Sequence, residues 1–176
     1  MGDRVYVTFN VLTAHLEQAR TILTKYNGNP QEEYKTPTPT EPLLSWLGYE
    51  EVNYGELGGL PDLVAIGIAY DSRWEQGSEF GRGIESVRFT AEGEAIKKVL
   101  YDHDEGIKLD KFRTAMALAK PEERLIALEA VISKHEASLF VLPLDEKQVE
   151  YGKLYRTERL LQMTSPVSDS YGFRKA

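Results

Sequence analysis

Apolar and polar residues alternate at the start of the chain, over residues 4–12. The apolar positions fall on one side of an extended chain: Val5, Val7, Phe9 and Val11. A period of two is typical of a strand with one buried face. Apolar residues then recur at helical spacing up to Tyr26, with Thr13 as the candidate N-cap. Asn27-Gly28 follows, and a glycine in the left-handed conformation commonly ends a helix. The pattern predicts a strand over residues 4–12 and a helix that ends at Gly28.

The middle of the chain contains two apolar runs that predict strands. Residues 63–70 are almost continuously apolar, which suits a strand buried on both faces. Residues 84–90 alternate, with Glu85, Val87 and Phe89 on one face. Upstream of both runs, the proline-rich residues 29–40 predict a surface loop, and residues 40–47 predict a short helix that ends at Gly48.

Helical spacing dominates the second half of the chain. Thr90 is the expected N-cap of a helix that contains Ile96 and Val99. Asp110 and Pro121 open two further predicted helices. Asp145, with Gln148 three residues later, predicts a capping box at the start of a last helix that continues to Leu161. A late apolar strand is predicted over residues 138–144.

These elements predict an α+β fold. We expect one domain over residues 1–164, with a mixed sheet of about four strands and roughly six helices packed on it. Neither an internal repeat nor a convincing linker divides this range. Residues 165–176 lack periodicity and are expected to form a tail that docks on a partner or on a second copy of the chain.

Composition narrows the class of protein. The chain has 176 residues and no cysteine, which excludes disulfides, thiolate metal sites and cysteine nucleophiles. It also lacks an apolar run of the ~20 residues that span a bilayer, so we expect a soluble, cytoplasmic protein without a membrane anchor. The net charge is −7 and no basic cluster is present, which argues against direct nucleic-acid binding. The acidic surface leaves one alternative open, a decoy that imitates nucleic acid.

A loop over residues 71–83 joins two of the predicted strands. It combines two aromatic residues, Trp74 and Phe80, with two arginines, Arg73 and Arg82. Trp and Arg dominate binding hot spots because they bury a large area and still make directed polar contacts. Two interpretations have equal weight: a binding loop, or a lid whose aromatic residues cover the core.

A second motif concerns catalysis. Pro61-Asp62 precedes the predicted strand 63–70, and Glu85 lies in the next strand. This order resembles metal-dependent nucleases of the Pro-Asp…(Asp/Glu)-x-Lys kind, in which two acids hold Mg²⁺ and the lysine orients water. Val87 occupies the position of the lysine, and Arg73, which preserves a positive charge, follows Asp62 too closely. The resemblance implies a nuclease-like hydrolase with a degenerate site of Asp62, Glu85 and Arg73.

Neither a complete catalytic constellation nor a cofactor or metal motif is present in the sequence. The sequence therefore favours a non-enzymatic protein that binds another protein or a second copy of itself, as a regulator, an inhibitor-like partner or an assembly component. We expect no cofactor and no metal. The expected contact residues come from the loop and the tail: Arg73, Trp74, Phe80, Arg82, Tyr171 and Phe173. The nuclease-like hydrolase and the acidic decoy are the two alternatives.

Overall fold

The computed structural model describes residues 3–36, 44–102 and 109–164. The strands are β1 (Arg4–Leu12), β2 (Glu32–Thr36), β3 (Leu44–Asn53), β4 (Tyr70–Trp74), β5 (Gly83–Phe89) and β6 (Ala95–Tyr101). The α-helices are α1 (Leu16–Asn27), α2 (Leu60–Ala65), α3 (Leu109–Met116), α4 (Pro121–Leu139) and α5 (Lys147–Thr164). A 3₁₀ turn over Thr13–His15 joins β1 to α1.

The predicted α+β class is confirmed, but the predicted counts and sheet type are wrong. The described residues form one six-stranded sheet of order β2-β3-β1-β4-β5-β6, and all neighbouring strands are antiparallel. Five α-helices accompany this sheet in the described ranges. None of these helices is long and apolar enough to cross a bilayer.

β1 is a central strand of the sheet, and it has the alternation that the sequence predicts. Val7, Phe9 and Val11 are fully buried, and they form the core together with buried residues of α1. α1 ends where predicted, because Gly28 adopts a φ of 77° and its N–H donates to a carbonyl of the last helical turn. Thr13 is not the N-cap; its hydroxyl is hydrogen-bonded to that of Ser45 instead.

The antiparallel register assigns each strand residue to one of two faces, because directly paired residues share a face. Phe9, Ser72, Glu85 and Val99 are paired in a row across four strands and lie on the core face. The neighbouring row lies on the opposite, outer face: Thr8, Arg73, Ile84 and Leu100. The predicted faces of the strand over residues 84–90 are therefore confirmed.

The predicted strand over residues 63–70 is wrong. Its first residues belong to α2, which begins after Gly59 and has Pro61 in its first turn. Gly67, at a φ of 75°, then turns the chain into β4. Both α2 and the residues after Gly67 contribute to the core. A buried helix followed by a buried strand produces the same apolar run as one buried strand, so periodicity could not separate them.

The segment before α2 also differs from expectation. Residues 44–53 form β3, although a helix was predicted over residues 40–47; residues 40–43 lie outside the described ranges. Within the predicted loop 29–40, residues 32–36 form β2. Long pairing with β1 stabilises β3, and this non-local pairing overrides the helical spacing of a few leucines.

The predicted helix after Thr90 is also wrong, since residues 95–101 form β6. The Thr90 hydroxyl does accept backbone N–H groups, from Glu92 (3.2 Å) and Glu94 (3.3 Å). These bonds close a hairpin turn in which Gly93 adopts a φ of 77°. The same side-chain chemistry caps helices and turns, so the cap alone did not identify the element.

The connection between α4 and α5 contains no strand, although one was predicted over residues 138–144. α5 begins close to the predicted position, and the Asp145 carboxylate accepts the Lys147 N–H at 3.1 Å. Gln148 does not complete a capping box. Its amide instead binds both backbone groups of Phe89, accepting the N–H at 2.7 Å and donating to the carbonyl at 3.2 Å, and so holds α5 against β5.

Candidate functional site

A groove of about 970 Å³ lies on the core face of β4, β5 and β6. One side is formed by residues 54–57 and α2, and Arg159 of α5 lies at its margin. We call it the aromatic groove. Its lining includes Tyr54, Leu57, Leu60, Val64, Tyr70, Ser72, Trp74, Phe80, Glu85, Lys97, Val99 and Tyr101.

A glycine on β5 shapes the wall of the aromatic groove. A Cβ on Gly83 would overlap the indole of Trp74, which lies across the strand at this point. The indole therefore reaches the ring of Tyr101 on β6, in an edge contact with ring centroids 5.7 Å apart. Its Nε1 donates to the Gly81 carbonyl at 3.1 Å. Trp74 is thus held in one position and presents its ring to the groove.

The loop after β4 forms the rim of the groove and is fixed by Asp3. The Asp3 carboxylate accepts the Ser78 hydroxyl at 2.6 Å and the Glu79 N–H at 2.8 Å. These hydrogen bonds, that of Ser78 first, lower the pKa of Asp3. Phe80 is held over Tyr54, with ring centroids 6.1 Å apart. The rim is consequently preformed.

The floor of the groove is a paired polar cluster. The Tyr70 hydroxyl donates to Glu85 Oε1 at 2.7 Å, and Lys97 Nζ lies 2.7 Å from Glu85 Oε2. Burial, together with the carboxylate of Glu85, raises the pKa of Tyr70, so the hydroxyl remains a donor. Lys97 balances the charge of Glu85. The floor therefore offers a nearly neutral surface to a ligand.

Ser72 is the exception in this floor. Its side chain is buried, and its hydroxyl has no hydrogen-bond partner among the described residues. It is paired with Glu85 across β4 and β5 and also lines the groove. Buried hydroxyls normally have a partner, so Ser72 is an unsatisfied polar group beneath the floor of the groove.

The two aromatic residues of the predicted contact loop both line the groove, whereas the two arginines do not. Trp74 and Phe80 are half-buried against the core and line the groove at the same time. Arg73 is exposed on the outer face, and Arg82 pairs with Asp102 at 2.5 Å. The other predicted contact residues, Tyr171 and Phe173, lie outside the described residues.

The three residues of the nuclease hypothesis are not arranged as the motif requires. Asp62 lies on α2, not at the start of a strand, and accepts the Tyr26 hydroxyl at 2.6 Å. The register places Arg73 and Glu85 on opposite faces of the sheet. In the described part of the chain, no cluster of three His, Asp or Glu could hold a metal ion. The acidic decoy stays a prediction.

Sequence reasoning missed most of the groove. Lys97 and Tyr101 were assigned to a helix or its end, and Tyr70 and Ser72 were treated as the end of a strand and the start of a loop. One signal could have found β6: residues 90–94 contain a glycine between two apolar segments, which is typical of a hairpin. Comparison of the chain with protein-family models, curated proteins and solved structures finds no match.

Proposed function

We propose that this protein is a non-enzymatic binding protein that captures an extended segment of a partner protein along β6. One observation carries the proposal: the aromatic groove lies directly beside an open sheet edge. β6 is the last strand of the sheet, and its outer edge is unpaired within the described ranges. An extended peptide can add to such an edge through main-chain hydrogen bonds, while its alternate side chains enter adjacent pockets.

The side chains of β6 support this mode of binding. Lys97, Val99 and Tyr101 alternate on the core face and line the groove. A strand added at the edge would lie about 4.8 Å from β6. Every second side chain of the peptide would then face the groove. The neutral floor and aromatic walls favour a large apolar or aromatic side chain at these positions.

The lysines of β6 do not protect its edge. Exposed edge strands commonly carry lysines that oppose pairing with another chain. Here Lys97 is drawn to Glu85, and Lys98 donates to the Phe140 carbonyl at 2.5 Å. Both ammonium groups are therefore held on the faces of the sheet, and the described residues leave the backbone edge between them open to a partner strand.

Two tryptophans on opposite faces provide a direct test. The chain has only Trp46 and Trp74. Trp46 lies on the outer face and stacks with Tyr34, with centroids 5.9 Å apart. The probes are nine-residue peptides. They are selected from a random phage-displayed library by binding to the immobilised protein. A selected peptide should change the emission of Trp46→Phe, which retains Trp74, and leave that of Trp74→Phe unchanged.

Two exposed tyrosines supply matched variants. Tyr101→Ala should weaken binding of the selected peptide by about tenfold or more, because aromatic anchors dominate such contacts. Tyr34→Ala, on the outer face, should have no effect. Backbone N-methylation of alternate peptide residues should abolish binding. Equal affinities for Tyr101→Ala and Tyr34→Ala, or unchanged binding of the N-methylated peptide, would contradict the proposal.

A further inference from the structure

α4 carries apolar residues on most of its circumference, yet the structure buries none of them fully. Leu125 is 60% exposed, Ile126 66% and Ile132 39%. A helix with apolar residues on most sides is normally covered on most sides. In the described part of the chain, α4 packs mainly against α3. Most of its apolar surface is therefore left uncovered by these residues.

Part of this surface has the spacing of a helix-docking seam. Leu125, Leu128, Ile132 and Leu139 follow one another at intervals of three, four and seven residues. We call these four residues the α4 seam. Intervals of three and four are those at which one helix packs side chains between those of a second helix. Leu125 and Ile132 are exposed, and the other two are half-buried.

The flanks of the α4 seam differ in charge. On one side, Glu122, Glu129 and Glu136 recur every seven residues, and all three are exposed. On the other side, the nearest cation, Arg124, is turned back to the residues that follow α3. Its Nε donates to the Leu118 carbonyl at 2.5 Å. The seam is thus bordered by an acidic row that Arg124 does not neutralise.

We propose that the α4 seam docks an amphipathic helix of a partner protein, with an apolar stripe of its own and lysines or arginines beside it. The acidic row selects this chemistry, because opposite charges flanking a helix seam determine partner choice. A second copy of the chain fits poorly, since an antiparallel pair of α4 helices brings the two acidic rows together. No residue of α4 lines the aromatic groove, so this surface is independent of the proposed peptide site.

Two designed helices test the proposal on the full chain. Both are 21-residue, fluorescein-labelled peptides with leucine at every seam position; one carries lysine beside the seam and the other glutamate. Fluorescence anisotropy should show the lysine peptide binding about tenfold or more tightly than the glutamate peptide. Leu125→Asp combined with Ile132→Asp should reduce this binding by a similar factor. Both residues are exposed, so the variant should retain the circular dichroism of the parent.

Charge reversal separates recognition from the overall negative charge. Glu129→Lys combined with Glu136→Lys should shift the preference towards the glutamate peptide. Glu92→Lys combined with Glu94→Lys changes the net charge equally on the β5–β6 turn and should preserve the original preference. An equal shift in both variants would overturn the proposal, because bulk charge would then explain binding.

Two further results would overturn the proposed occupant. A dimer in sedimentation that Leu125→Asp dissociates would identify a second copy on the α4 seam. Tenfold tighter binding of the lysine peptide after truncation at Thr164 would identify residues 165–176 as the occupant. A monomer whose peptide affinity is unchanged by truncation supports a separate partner helix.

Discussion

The sheet with α1 and α2 and the α3–α4 pair are built from similarly apolar sequences but bury them to very different extents. In the first region, side chains such as Phe9, Leu23 and Leu63 have no exposed surface. In the second, Ala115 is the sole buried apolar residue within the described ranges 109–116 and 121–139. The first region supplies its own apolar partners, and the second presents apolar residues to its surroundings.

This difference indicates where each region obtains its stability. Removal of apolar surface from water is the main favourable term in folding. The sheet region obtains it among the described residues, whereas much of the apolar surface of α4 is left exposed by them. The aromatic groove is intermediate, because Trp74 and Phe80 contact the core and still face the groove. The most deeply buried residues and the candidate binding surfaces therefore lie in different parts of the chain.

The largest loss of stability is expected on substitution of Arg88, which joins the sheet to the segment after α4. Arg88 is buried, binds Asp71 at 2.7 Å and donates to the Leu142 carbonyl at 2.8 Å. Arg88→Met leaves the buried Asp71 carboxylate without its cation and should lower the free energy of unfolding by about 3–5 kcal/mol. Urea unfolding measures this loss. Arg73→Met, at an exposed position two residues after Asp71, is the control and should change the free energy of unfolding by less than about 0.5 kcal/mol. Equal losses of stability in the Arg88→Met and Arg73→Met variants would contradict the role assigned to burial.

A smaller loss is expected where α5 crosses the turn before β4. A Cβ on Gly152 would overlap the backbone carbonyl of Gly67. Alanine usually stabilises a helix interior by about 1 kcal/mol relative to glycine. Overpacking against backbone should exceed this gain, and Gly152→Ala should destabilise by about 1–3 kcal/mol. Thermal unfolding shows whether Gly152→Ala lowers or raises stability. Gly81→Ala, where a Cβ meets no atom within 4 Å, is the control and should be nearly neutral.

Substitution of His15 is expected to change how the stability of the protein depends on pH. Burial, and secondarily Lys153 of α5, lowers its pKa from the ordinary 6.5. Between 6.5 and the lower native value, the unfolded chain binds more protons than the native protein, so stability falls as the pH decreases through this interval. His15→Gln removes this contribution and should flatten the slope below pH 6.5. Urea midpoints at several pH values measure the slope, and an unchanged slope would contradict this account.

The smallest change in stability is expected for a substitution on the exposed side of α4. Ile126→Ala removes a large apolar side chain, but that side chain is 66% exposed. The free energy of unfolding at low protein concentration should therefore change by less than about 0.5 kcal/mol. Denaturation at two protein concentrations tests the contrast between the regions. A loss of several kcal/mol at low concentration would show that Ile126 is covered within the chain.

Local patterns predicted part of this fold correctly. β1 and the end of α1 at Gly28 follow from alternation and from a glycine stop, both of which act within a few residues. Asp145 caps α5 for the same reason. Gln148 shows the limit of such reasoning. Its spacing predicted a partner in its own helix, and its amide binds the backbone of Phe89, 59 residues away along the chain.

The candidate site was predicted less well than the fold. Trp74 and Phe80 were singled out together because both belong to one loop, and both line the groove. Lys97 was not associated with Glu85, because a turn at Gly93 and the β5–β6 register bring them together. Asp62 was placed just before a strand and lies in α2 instead, since an apolar run does not reveal whether it is a helix or a strand.

The amino-acid sequence by itself determined the α+β class, the first strand and helix, and the absence of cysteine chemistry, since these depend on composition and short-range periodicity. The tertiary structure decided which residues share the groove and which apolar helix the described residues leave largely exposed. Strand register and helix packing depend on contacts between residues far apart in the chain, whose energies exceed the local preferences of β3 and β6. That is why the residues around Glu85 come together only in the assembled sheet.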